Sequence, residues 1–172
     1  RDVVAMPPTP ADTQIRCNQI WAVSMPFTPL TREMAADVVR CVRRALWTLL
    51  GLRTLAPDDP DFHPSYGGPQ PVRDLAYHQG TVWPFPLGGY YLAELRLGGP
   101  DAACRVARDL EALAPALREG CLGQLPEIYD GAAPGDSRGC FAQAWSVGEL
   151  LRVCEAVERP AAAGFAGGWS EA

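Results

Sequence analysis

The chain has 172 residues, of which 48% are hydrophobic and 20% are charged, and its formal net charge is -5. This length and composition are typical of one folded globular domain and exclude a disordered tail as the whole molecule. The negative charge and the scattered arginines argue against a nucleic-acid-binding surface, and no apolar stretch approaches the ~20 residues that a membrane span needs.

The first residues, Arg1 and Asp2, are not followed by the basic and apolar regions of a signal peptide, so we expect none in this sequence, whose first residue need not be the first of its gene. It contains six cysteines but no C-x-x-C pair, and only two histidines. This pattern lacks the spacing of zinc ligands, so we expect no metal site and no cofactor, and free thiols rather than a disulfide framework. Free thiols favour a cytoplasmic location.

The periodicity of apolar residues predicts an all-α fold with about five helices, and no segment has a strong alternating strand pattern. Thr31 is a suitable N-cap for the second helix and Gly51 marks its end. Asp101 is a suitable N-cap for the fourth helix. The predicted helices cover residues 14–25, 31–52, 83–97, 101–117 and 141–157.

Long loops at 53–82, 120–140 and 158–172 separate or follow these helices. Loops of more than ~12–15 residues in a compact domain are usually functional or disordered. The first two contain aromatic, amide and acidic side chains, which favours function. The last contains mainly small residues, and we expect it to be frayed. The sequence therefore predicts a helical domain over 1–157 and a tail over 158–172.

The end of the first long loop combines aromatic rings with polar groups at Tyr77, His78, Gln79 and Trp83. Such a combination suits a sugar, because rings stack on its C–H face and polar groups bind its hydroxyls. The alternative, that His78 and Gln79 only satisfy buried backbone groups, has equal weight on these residues alone.

The second long loop contains Glu127 and, three residues later, Asp130. A carboxylate on a short apolar loop between helices is able to act on water as a general base. On the residues alone, the favoured interpretation is that both are ordinary loop acids, with Asp130 and Gly131 forming a turn. Trp145 lies on a predicted helical face and is predicted to be a core residue.

Four segments together resemble, in the same order, motifs of the amylo-α-1,6-glucosidase domain, the C-terminal domain of glycogen debranching enzymes. They are residues 15–24, 52–60, 77–84 and 139–147. The resemblance runs from about residue 14 to 154. It implies an (α/α)6 toroid of twelve helices in two rings, with the active site among the loops at one end. It also implies a metal-free hydrolase that removes α-1,6-linked glucose from glycogen or limit dextrin, with inversion by two carboxyl groups.

The same resemblance assigns roles to individual residues. Glu127 corresponds to the general base, and Asp130 remains an alternative. Four residues correspond to those that bind the terminal glucose: Tyr77, His78, Gln79 and Trp83. Asp58 and Asp59 correspond to residues at the rim of the pocket that holds this glucose.

Twelve helices with their loops need at least about 200 residues. We therefore expect a partial toroid, about the last five helices, whose partner is the upstream part of the same domain. The general acid would lie upstream of Arg1, and the isolated chain is expected to be nearly inactive. Two alternatives remain: a non-catalytic glucan-binding helical module, and an α-glucosidase on the same toroid that hydrolyses trehalose or an α-1,4-glucan.

Overall fold

A 28-residue helix, α4 (Pro86–Leu113), forms the centre of the fold in the computed structural model, which describes residues 11–132, 135–159 and 169. The first eight residues of α4 are all buried among the surrounding elements, and the large side chains among them are Leu87, Tyr90, Tyr91 and Leu92. A helix that is apolar all round is stable only inside a protein, so the other elements are arranged around it. They are α1 (Trp21–Ser24), α2 (Arg32–Ala45), α5 (Ala144–Glu158) and two 3-10 helices at Cys17–Ile20 and Ala114–Arg118.

The N-terminus of α2 is as predicted, but its C-terminus is not. The Thr31 hydroxyl accepts a hydrogen bond from the backbone N–H of Met34 at 3.3 Å, which confirms the N-cap. The helix ends at Ala45 rather than near residue 52. Gly51 lies in a strand instead, where an added Cβ would be 2.6 Å from the carbonyl carbon of Trp83. Gly51 is therefore required for a close backbone approach and not for a helix end.

The predicted break between residues 97 and 101 is also wrong, because α4 continues through it. Asp101 is consequently an interior helical residue and not an N-cap. Ala102, Val106 and Leu113 on the second half of α4 are buried. This tertiary burial outweighs the local cost of a glycine pair and a proline in one helix.

The all-α expectation is only partly correct, because the described residues also form a five-stranded antiparallel sheet of order β1-β2-β3-β4-β5. Each strand has two or three residues, which is too short to produce a readable alternation. Strand β3 pairs with β2 through Leu52 and Trp83, and with β4 through Val82 and Tyr129. The strands are β1 (Trp47–Thr48), β2 (Gly51–Arg53), β3 (Val82–Trp83), β4 (Ile128–Tyr129) and β5 (Ser137–Arg138).

The predicted long loops are therefore less irregular than expected. The loop at 53–82 contains a further helix, α3 (Gln70–Ala76), and the loop at 120–140 contains β4 and β5. Most of the predicted tail lies outside the described residues, although Trp169 is described and packs beneath the guanidinium of Arg96. Over the described ranges, no helix has both the length and the apolar character required to cross a bilayer.

Gly88 sets the contact between α4 and α5, and we expect Gly88→Ala to lower the free energy of unfolding by up to about 2 kcal/mol. A Cβ at this position would lie 2.6 Å from Cβ of Glu149 and 3.1 Å from its carbonyl oxygen. The helices would have to move apart, which costs about 1–3 kcal/mol, while the gain in helix propensity is about 1 kcal/mol.

Gly148→Ala is the matched control, because Gly148 is also helical and its Cβ would have no neighbour within 4 Å. It should raise stability by about 0.5–1 kcal/mol in the same denaturant titration. Equal effects of the two substitutions would contradict this account of the α4–α5 contact.

Candidate active site

A cavity of about 190 Å³ opens where α4 and α5 begin, beside β3 and the first 3-10 helix. Its lining combines polar groups with aromatic rings, so the wall offers both hydrogen bonds and stacking faces. The lining residues are Arg16, Cys17, Asn18, Thr54, His78, Trp83, Phe85, Pro86 and Trp145.

The loop that carries the predicted sugar-binding residues folds around Thr81. The Thr81 hydroxyl donates to the carbonyl oxygen of Tyr77 at 2.6 Å and accepts from Nε1 of Trp83 at 3.1 Å. Gly80 has a φ of +132°, and a Cβ there would be 2.7 Å from the carbonyl oxygen of His63. The turn therefore requires glycine, and it directs His78 and Trp83 to the same cavity.

Aromatic rings form part of the wall of this cavity. His78 stacks on Trp83 with ring centroids 5.2 Å apart and an interplanar angle of 17°. Phe85 stacks on Trp145 at 4.6 Å and 24°, and Trp21 covers the other face of the same cluster at 6.0 Å from Phe85. Trp83 is almost completely buried, so it supports the other rings more than it faces solvent.

Trp145 was predicted to be a core residue, and that prediction is wrong. Its side chain is 47% exposed and it lines the cavity at the first turn of α5. The sequence placed it on a helical face, but helical periodicity does not distinguish a face that meets the core from one that meets a cavity. Phe85, directly before α4, was missed for the same reason.

His78 is electrically neutral near pH 7 because its pKa lies below the usual 6.5. Partial burial is the main cause, and the neighbouring Arg16 guanidinium adds to it, while Glu127 acts in the opposite direction. A neutral imidazole has one donor nitrogen and one acceptor nitrogen, which suits hydroxyl groups that both donate and accept.

Gln79 is connected to the cavity through Arg16, a residue that the sequence reasoning missed. Arg16 donates from Nη2 to Oε1 of Gln79 at 2.6 Å and from Nη1 to the carbonyl oxygen of His78 at 2.9 Å. The Arg16 guanidinium thereby connects the first of the four motifs, residues 15–24, to the third, residues 77–84. The side chain of Gln79 orients Arg16, and the cavity wall contains Arg16 rather than Gln79.

Glu127 lies next to the cavity and is held on three sides. Its Oε1 accepts a hydrogen bond from the hydroxyl of Tyr77 at 2.5 Å, and its Oε2 accepts from the backbone N–H of Cys140 at 3.1 Å. Its own N–H donates to the carbonyl oxygen of Cys140 at 2.8 Å. Since Tyr77 contacts both His78 and Trp83, the carboxylate is one side chain away from the cavity wall.

The N-terminus of α5 fixes the segment that precedes Glu127. The buried hydroxyl of Ser146 donates to the carbonyl oxygen of Pro126 at 3.1 Å, and the N–H of Gln143 donates to that of Leu125 at 2.9 Å. A helix N-terminus also favours nearby negative charge. The loop therefore holds a carboxylate at a defined place beside the cavity.

Both carboxylate oxygens of Asp130, the alternative base, are hydrogen-bonded to other parts of the protein. Its Oδ1 accepts from the backbone N–H of Tyr66 at 2.6 Å, and its Oδ2 accepts from Nε and Nη2 of Arg138 at 3.2 and 3.1 Å. The side chain is only 7% exposed. The hydrogen bond and charge of Asp130 raise the pKa of Arg138. These contacts tie the loop of Asp130 to Tyr66 and Arg138, and we call Asp130 a clamp in this sense.

Asp58 and Asp59, the predicted rim residues, do not line the cavity. Asp58 is exposed. Asp59 accepts from Nε2 of Gln14 at 3.3 Å, and Gln14 in turn accepts from Arg16 at 2.6 Å. Asp59 therefore reaches the cavity only through Gln14 and Arg16, and a role at the rim stays a prediction for both residues.

The described ranges contain no group of three His, Cys, Asp or Glu side chains with the geometry of a metal site. What they do contain is an aromatic cavity with neutral and cationic hydrogen-bond donors, next to a carboxylate. Such a combination offers stacking faces and hydrogen bonds of the kind that suit a sugar, together with a carboxylate that is able to accept a proton.

A family model described as amylo-alpha-1,6-glucosidase matches residues 1–152 of the chain. The protein therefore belongs to the amylo-α-1,6-glucosidase family, as the four motifs predicted. The match includes every residue of the cavity and of the Glu127 loop. Membership indicates a glucosidase domain of the glycogen-debranching type or a related one.

If Asp130 is a clamp, Asp130→Asn should lower the free energy of unfolding by about 1–3 kcal/mol, because the buried partner of a charged hydrogen bond is lost. Asp136→Asn is the matched control: Asp136 contacts the same Arg138 at 3.2 Å, but it is 77% exposed, so about 0.5 kcal/mol or less is expected. Chemical denaturation of both variants measures the difference. Equal stabilities would argue that Asp130 is free for another role.

Proposed function

We propose that the protein acts in glycogen debranching, in the hydrolysis of α-1,6-linked glucose from glycogen or limit dextrin. The observation that carries the proposal is the position of Glu127, which is anchored beside an aromatic cavity in a member of this family. The linkage is taken from the family, and the role of Glu127 from its place and contacts.

In the proposed mechanism, Glu127 is the general base of an inverting hydrolysis. A water molecule attacks the anomeric carbon from the face opposite the leaving oxygen while Glu127 accepts its proton. A second carboxyl group, about 6.5–9.5 Å away, protonates the leaving oxygen as the glycosidic bond breaks. The product is β-glucose together with the shortened glucan.

We place the second carboxyl group outside this chain, in the upstream part of a toroid to which these helices contribute. Both α4 and α5 begin at the cavity, and they pack against one another. Neighbouring helices that begin at the same end suit a ring whose loops form an active-site funnel. The upstream part of the domain is then the protein partner, α-glucan is the substrate, and the cytoplasm is the location.

Within this proposal the terminal glucose occupies the cavity. Trp145 and His78 provide faces for its C–H groups, and Asn18 and neutral His78 hydrogen-bond its hydroxyls, with the positive charge of Arg16 in the same cavity wall. Gln79 and Asp59 act indirectly, by orienting Arg16.

Replacement of Glu127 tests the mechanism in the full-length native polypeptide that contains this chain. Glu127→Gln should reduce glucose release from limit dextrin by at least ~100-fold, because an amide does not accept the proton of water. Glu111→Gln, an exposed acid on α4, should change the rate by less than twofold. NMR of the first product should show the β-anomer in the wild type.

Several outcomes would contradict parts of this proposal. Unchanged activity of Glu127→Gln would exclude Glu127 as the base, and an α-anomeric product would exclude inversion. Cleavage of only trehalose or an α-1,4-glucan would change the linkage. Glucan binding without any turnover would favour the non-catalytic module. The isolated chain should be about 10²–10⁴-fold slower than the full polypeptide, since it lacks the general acid.

Trp145→Ala should raise the KM for limit dextrin by about 2- to 10-fold and leave kcat within about twofold, because a stacking face contributes about 0.5–1.5 kcal/mol of binding. Trp145→Phe, which retains an aromatic ring on Phe85, should recover most of the loss. Phe27→Ala is the control, because Phe27 is an aromatic residue that is 80% exposed and does not line the cavity. Equal KM values for the Trp145→Ala and Phe27→Ala variants would refute the role of Trp145 as a stacking face for the sugar.

A further inference from the structure

We propose that Tyr77 is a positioning residue that orients Glu127, rather than a residue that binds glucose. The inference rests on the proposed function, because it assigns to Glu127 the role of base. The hydroxyl of Tyr77 donates to Oε1 of Glu127 at 2.5 Å, so the polar atom that would otherwise bind a sugar is committed to the carboxylate.

The ring of Tyr77 is fixed on several sides, so its hydroxyl has little freedom. It meets Trp83 edge-on with centroids 5.0 Å apart, and it contacts His78 at 4.6 Å and Tyr66 at 5.6 Å. Its carbonyl oxygen is held by the Thr81 hydroxyl at 2.6 Å. A donor whose ring and backbone are both fixed defines the position of the group that it binds.

Tyr77 also joins two segments that are fifty residues apart in the sequence. One is the turn that carries His78 and Trp83 to the cavity, and the other is the loop that carries Glu127. The distance from the base to the sugar therefore depends on this hydrogen bond. The backbone N–H of Cys140 holds the second oxygen at 3.1 Å, and each carboxylate oxygen has a further lone pair for water.

The protonation state of Tyr77 agrees with a donor role. Its pKa is raised, first by burial and then by the hydrogen bond and the negative charge of Glu127. It therefore remains a phenol throughout the range in which the enzyme would act. A phenol stabilises the ionised carboxylate, which is the form that a general base requires before the water reacts.

Tyr77→Phe removes the hydroxyl and keeps the ring, and Tyr90→Phe is its matched control. Tyr90 is a buried tyrosine whose hydroxyl likewise donates to a carboxylate, that of Glu94 on the same helix. Both substitutions remove one tyrosine–carboxylate hydrogen bond, but only the first concerns Glu127. The variants are made in the full-length native polypeptide, beside the wild type and Glu127→Gln.

The substrates are limit dextrin and α-glucosyl fluoride. Fluoride leaves without protonation, so hydrolysis of the fluoride needs the base but not the general acid: water adds, the C–F bond breaks and Glu127 takes the proton. Tyr77→Phe should lower kcat by about 10- to 100-fold on both substrates, with KM within about twofold. Tyr90→Phe should change kcat on neither substrate.

The outcomes separate the two proposals. A rise in KM with unchanged kcat for Tyr77→Phe would make Tyr77 a sugar-binding residue and overturn the inference. The same holds if Tyr77→Phe behaves like Tyr90→Phe while Glu127→Gln is inactive, and in both cases the proposed function stands. An inactive wild type, or a fully active Glu127→Gln, would overturn the role of the base and the inference together.

Discussion

Strand β3 is the constraint on which the rest of the site depends. Val82 and Trp83 pair on one side with Leu52 and Arg53, and Val82 pairs on the other side with Tyr129. Three segments that are far apart in sequence are thereby fixed side by side. The backbones are also close beyond the paired residues, since a Cβ on Gly131 would lie 3.0 Å from the carbonyl carbon of Gly80. Because the backbones pair here, the turn that carries His78 and the loop that carries Glu127 meet without a long strand or a disulfide between them.

The sequence predicted which segments are helical better than it predicted where each helix begins and ends. The cap at Thr31 is a local interaction, between residues three apart, so the sequence contains all the information needed to find it. The end of α2 is not local, because Gly51 is required by the backbone of Trp83. The continuation of α4 past residues 98–100 depends in the same way on burial by other helices. Strands of two residues carry no periodicity, so the sheet became visible only in three dimensions.

For the candidate site, the motifs identified loops that the structure brings together, but they did not show which partner each side chain contacts. His78 and Trp83 do line a cavity, whereas Tyr77 and Gln79 contact other protein groups, Glu127 and Arg16. Residue type alone does not reveal which partner a polar side chain has. Arg16 had a usable signal, since it lies in the first matching motif, but the meeting of that motif with the turn at 77–83 is a tertiary event. Trp145 lacked any signal that separates a core face from a cavity wall.

Glu127 and Asp130 illustrate how environment gives two neighbouring acids different roles. They flank β4, and side chains three positions apart on an extended segment point to opposite faces. Asp130 meets a backbone N–H and the guanidinium of Arg138 and is almost fully buried. Glu127 meets a phenol and one N–H and is only half-buried. Both oxygens of Asp130 are therefore occupied by contacts that hold the loop, and these contacts fix one end of the strand whose other end presents Glu127. This difference in contacts is the reason why we propose Glu127, and not Asp130, as the base.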